Sequence, residues 1–68
     1  MKVKGQRWRY LDAIGIEREG FMKGFADHGG SDVTYFFERD DGRLDVVPGP
    51  RMKHAKNIQR EYLERIAD

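Results

Sequence analysis

The run VTYFFERDDGRLDVV, residues 33–47, carries the clearest structural signal in the chain. Val33, Tyr35 and Phe37 alternate with Thr34, Phe36 and Glu38; Asp40-Asp41-Gly42 then turns the chain, and Leu44 to Val47 returns. Asp-Gly between aromatic and β-branched runs predicts a hairpin, because glycine accepts the positive φ that a tight reversal demands. Two registers compete. A two-residue Asp41-Gly42 turn pairs Phe37 with Val46 but sets Glu38 opposite Asp45, two like charges. A loop of Asp41-Gly42-Arg43 instead sets Arg39 opposite Asp45 and Phe37 opposite Val47, and is the favoured reading.

Phe36 has the opposite parity from Tyr35 and Phe37. A one-sided sheet therefore leaves it exposed, unless the sheet closes, a dimer covers it, or it anchors a protein partner.

Upstream of the hairpin, Trp8, Tyr10, Ile14 and Ile16 share one parity, and Arg7, Arg9, Leu11 and Ala13 the other. The expected first strand covers 6–16, bent near Asp12 or Gly15. Glu17-Arg18-Glu19-Gly20 reads as a turn, 21–26 as a second strand with Phe21 and Phe25 on one side, and Asp27 to Asp32 as a loop. With 33–39 and 44–47 these strands form an antiparallel meander, and one face needs a cover.

Downstream, Met52, Ala55, Ile58, Tyr62, Leu63 and Ile66 fall on a helical stripe, with Gln59 as the one polar intruder. Pro50 suits a first helical position, so the expected helix covers 50–67. The competing parse makes 50–54 a fifth short strand and starts the helix near Ala55. That order of elements resembles a small SH3-like barrel capped by a helix. The fold class is thus α+β: one domain over 1–68, with a strongly bent antiparallel sheet of four or five strands and one C-terminal helix.

A chain of 68 residues without cysteine has no disulfide or thiolate metal site to reinforce a small core. Its eight aromatic residues argue for a packed globule despite the high charge content. No apolar run approaches the ~18 residues of a membrane helix, and no signal-type segment follows Met1, which leads to the expectation of a cytoplasmic protein without a membrane partner.

Catalysis finds little support. His28 sits in a Gly-rich loop, His54 among cations, and neither has a nucleophile–base–orienter set around it. Asp27, His28 and Asp32 lack a diagnostic metal spacing and read as a solvated loop. No catalytic residue, metal or cofactor is expected.

Charge is unevenly placed. Lys2, Lys4, Arg7 and Arg9 make the first ten residues +4, Arg51, Lys53 and Lys56 add +3, and residues 11–49 are −5, within a net charge of +1. Cations at a helix start oppose the macrodipole, which points to an anion-holding surface there. Arg7, Arg9, Arg51, Lys53 and Lys56 are the candidate contacts for an anion or nucleic acid if they share a face. The balanced net charge and Phe36 favour a small non-enzymatic adaptor or regulator that docks a protein partner or a second copy. Nucleic-acid binding is the alternative.

Overall fold

The computed structural model describes residues 5–30 and 32–67. The 33–47 hairpin forms as β3 (Val33–Glu38) and β4 (Leu44–Pro48), but in neither of the two expected registers. Phe37 lies opposite Asp45, Phe36 opposite Val46 and Glu38 opposite Leu44. The loop is Asp40-Asp41-Gly42. Arg39 N–H donates to the Arg43 carbonyl at 2.8 Å, Gly42 N–H donates to the Arg39 carbonyl at 3.0 Å, and Gly42 takes φ 87°. This three-residue loop with glycine in the bulge position keeps Glu38 away from Asp45 without shifting Arg43 into the loop.

The first expected strand is two elements. β1 (Arg7–Leu11) ends at Leu11, and β2 (Glu17–Asp27) begins where a turn was expected. The reversal falls at 12–16 and repeats the geometry of the 39–43 loop. Asp12 N–H donates to the Ile16 carbonyl (2.9 Å), Gly15 N–H to the Asp12 carbonyl (3.0 Å), and Gly15 has φ 82°. Asp12 holds it further, its Oδ1 accepting the N–H groups of Ile14 and Ile16 at 3.1 and 2.9 Å. Alternation groups Ile14 and Ile16 with Trp8 and Tyr10 on one side of a single strand. At this turn both are exposed, Ile14 by 76 %.

The C-terminal stripe also divides. Gly49–His54 is a 3-10 segment, Lys56–Asn57 is β5 on the free edge of β1, and α1 spans Gln59–Ile66. Met52 and Ala55 pack against the sheet face of Tyr10 and Phe37, whereas Tyr62 packs on the other face against Phe21. One straight helix cannot serve both faces, so the chain crosses the edge of β1 in extended form. Asn57 Oδ1 accepts the Gln59 N–H (2.9 Å) as the helix begins. Gln59 is the polar intruder for a reason: its Oε1 accepts the Arg7 N–H at 2.6 Å.

All five strands are antiparallel, in the order β4-β3-β2-β1-β5. The sheet is not closed; among the described residues no ladder joins β4 to β5. It bends enough for the Tyr10 hydroxyl on β1 to reach Asp45 on β4 at 2.6 Å. Inside the bend Tyr10 and Phe37 stack at 4.4 Å, with Val47 buried beside them and Trp8, Met22, Tyr35, Met52 and Ala55 around them. No helix among the described residues is long and apolar enough to cross a membrane.

Candidate functional site

The proposed cations divide between the two faces. Arg7 and Arg9 share a face, as alternation requires, and α1 lies over it. Arg7 is 4 % exposed, its guanidinium beside the edge-to-face pair of Phe21 (4.8 Å) and Tyr62 (5.0 Å), with both terminal nitrogens on Asp40 at 2.8 and 3.0 Å. Arg9 donates to Glu19 (3.2 Å) and Glu61 (2.8 Å), and Arg65 joins the same two carboxylates at 3.0 and 2.7 Å. The hydrogen bond from Arg7 holds Asp40 below the usual carboxylate range, and that from Arg9 does the same for Glu61. Burial alone would raise Glu19, but the hydrogen bonds from Arg65 and Arg9 bring it below its ordinary value. This network fastens the helix to the sheet and leaves the buried Nε of Arg7 as a donor without a partner.

Arg51 lies elsewhere, its Nη1 donating to the Asp12 carbonyl at 3.1 Å. Lys56 is opposite Arg9 in the ladder, and Lys53 is exposed in the 3-10 segment; among the described residues neither forms an ion pair. The five cations therefore do not form one free patch. The premise of a crowded helix start also changes, because α1 begins at Gln59 with Glu61 in its first turn and Arg65 in its last, in harmony with the macrodipole.

Two surfaces remain available. The first is the outer side of β4, an edge strand. Phe36 is half-buried, while its neighbours Leu44 and Val46 are 61 % and 53 % exposed. All three point away from the Tyr10–Phe37 core, beyond the area covered by α1. Because Arg39 and Arg43 form a bonded pair, the antiparallel alternation directs the Leu44 and Val46 N–H groups outward from the sheet.

Sequence reasoning missed the second. The 12–16 and 39–43 turns lie at the same end of the bent sheet and flank an open pocket of about 300 Å³ lined by Asp12, Ala13, Ile14, Arg18, Arg39, Arg43 and Asp45. Asp12 is buried, accepts Arg18 Nε at 2.9 Å, and is lowered from its ordinary value chiefly by that bond. Arg39 grips Asp45 with Nε and Nη2, both at 2.6 Å, and this lowers Asp45 and raises Arg39. Burial, then the Asp45 contact, pushes the Tyr10 hydroxyl well above its ordinary value, so it remains a donor. Arginines interleaved with turn residues at 12–18 and 39–45 were the available signal, legible only once both segments were known to be hairpin loops.

In the 27–32 loop, Asp27 caps the Gly29 N–H (2.9 Å) and His28 contacts the Thr34 hydroxyl (3.2 Å). Among the described residues no group of three or more histidine or carboxylate side chains could hold a metal ion. Comparison with protein-family models, with curated proteins and with solved structures finds no match to this chain.

Proposed function

We propose that this chain is a small non-enzymatic docking protein, an adaptor or regulator, whose β4 edge takes up an extended segment of a protein partner. The observation that carries this is the coincidence of a strand edge that no described residue pairs with and exposed apolar side chains at Leu44 and Val46, adjoining Phe36. An added strand would receive main-chain hydrogen bonds from β4 and bury alternate side chains against that apolar face. Proteins usually blunt such an edge with lysine, a bulge or a covering element. Here Pro48, at the end of β4, is the only residue of the strand without an N–H. The five-strand order with a 3-10 segment before β5 further supports an SH3-like arrangement of the scaffold.

The nucleic-acid alternative loses two of its five cations, since Arg7 and Arg9 are held by carboxylates. Arg51, Lys53 and Lys56 remain for it. A salt series with mixed-sequence DNA and RNA tests it directly: absence of binding at low salt ends that reading.

The docking proposal is tested with a displayed library of random peptides. Selected peptides should protect the Leu44 and Val46 amides from hydrogen exchange and lose about tenfold or more in affinity with Val46→Pro or Leu44→Lys. Circular dichroism confirms that each variant is folded. Peptides that bind both folded variants unchanged, or a library yielding none, would refute edge docking. A concentration-dependent dimer lost in the same variants would identify the occupant as a second copy.

A further inference from the structure

We propose that the pocket between the 12–16 and 39–43 turns binds a small organic anion, with its carboxylate or phosphate head on the forks of Arg18 and Arg43 and its apolar body against Ile14 and Ala13. This site is separate from the β4 edge and does not depend on docking there. The argument is an account of donors and acceptors.

The two carboxylates that line the pocket are already satisfied. Asp12 accepts Ile14 N–H, Ile16 N–H and Arg18 Nε; Asp45 accepts the Tyr10 hydroxyl and two donors of Arg39. The guanidinium groups are not. Among the described residues, the terminal nitrogens of Arg18 have no acceptor, and Arg43 has only Asp41 at 3.5 Å, a pair more than half exposed on both sides. Three guanidinium groups line the pocket against two carboxylates, and Arg51 approaches from outside through the Asp12 carbonyl. A surplus of planar, fork-shaped donors with no free acceptor suits an oxyanion, which is acceptor-only and can be held by two parallel bonds.

The apolar half of the argument is Ile14. A residue at the tip of a tight turn is ordinarily polar, yet an isoleucine stands there, 76 % exposed at the pocket wall. The turn geometry requires Gly15 and benefits from Asp12; it does not require isoleucine between them. At about 300 Å³ the pocket has the volume of a small-ligand cleft and exceeds what an inorganic ion fills.

The test is titration of the full chain with phenyl phosphate, benzoate and inorganic phosphate, followed by amide chemical shifts. Saturable shifts confined to residues 12–18 and 39–45 are expected for phenyl phosphate or benzoate, and the tighter of the two names the head group. Arg43→Gln, exposed enough to leave the fold intact, should weaken binding about tenfold, and Arg18→Gln more. Ile14→Ser should bring the organic anion to the affinity of inorganic phosphate, while the control Arg60→Gln changes nothing. No saturable shift up to about 10 mM, or shifts unaltered in both arginine variants, overturns the proposal. Equal affinity for phenyl phosphate and inorganic phosphate overturns the role given to Ile14.

Discussion

Two arginine clusters, built from similar residue types, occupy opposite faces of one sheet with opposite consequences. Beneath α1, Arg7 and Arg9 meet Asp40, Glu19 and Glu61, with the Phe21 and Tyr62 rings against the guanidinium of Arg7. At the open end, Arg18 meets Asp12, Arg39 meets Asp45 and Arg43 has only the exposed Asp41, so that donors remain unused. The 39–43 turn feeds both clusters, sending Asp40 toward Arg7 and Arg39 toward Asp45. An arginine is therefore no sign of a binding site in itself. What separates a structural guanidinium from an available one is whether its donors are used inside the fold.

The largest effect expected from this contrast is on the closed cluster. Arg7→Ala should cost about 2–3 kcal/mol, a fall of about 10–20 °C in Tm, because it removes the buried guanidinium from Phe21 and Tyr62 and the partner of Asp40. Arg7→Met, which keeps most of the volume, should recover much of the loss; thermal melts of both variants decide whether packing or charge dominates. If Arg7→Ala melts like the parent chain, the cluster is not the helix anchor described.

Acid comes next and touches both clusters. Asp40, Asp45 and Glu61 are each held below their ordinary values by arginine, so the folded state binds fewer protons than the unfolded chain as these groups titrate. Their stabilisation is fully present above about pH 4–5 and is lost as pH falls through the depressed values. Denaturant midpoints measured from pH 6 down to pH 2 should decline over that range, and Asp45→Asn should flatten the decline. A midpoint that rises on acidification would contradict the sign.

The glycines of the twin turns follow. Gly15→Ala and Gly42→Ala should each cost about 1–2 kcal/mol, since both glycines hold positive φ (82° and 87°) in the same bulge position. Unequal losses would show that the turns are less alike than their hydrogen bonds imply. Smallest is Ile14→Ser, which should change stability by no more than about 0.5 kcal/mol because the side chain is largely exposed. A large loss there would make Ile14 a packing residue and remove the reason for assigning it to a ligand.

The same pair of turns shows what local chemistry discloses. Asp40-Asp41-Gly42 advertised its reversal through composition, and the hairpin was recognised, though with Arg43 taken into the loop in place of Asp40. Asp12-Ala13-Ile14-Gly15-Ile16 has the same backbone hydrogen bonds but apolar residues in the loop, so alternation carried the strand reading straight through it. Phe36 was correctly assigned to the face opposite Phe37, because successive residues of one strand alternate faces whatever their register with the next strand. The cation patch failed to assemble for a different reason. Parity identifies which residues share a face of one strand, but it does not reveal which carboxylates the next strand and the helix bring there.

Short-range preferences thus specified an α+β chain with an antiparallel hairpin, an aromatic-rich globule and a helical stripe near the C-terminus. Those features depend on steric preferences and burial periodicity within a few residues. The core around Tyr10 and Phe37 emerged in the structure. The crossing of β1 by Lys56–Asn57, the pairing of Arg7 with Asp40, and the bond from Tyr10 to Asp45 came from folding the chain in three dimensions. Each joins residues distant in sequence, and Coulomb attraction and packing act on separation in space rather than along the chain.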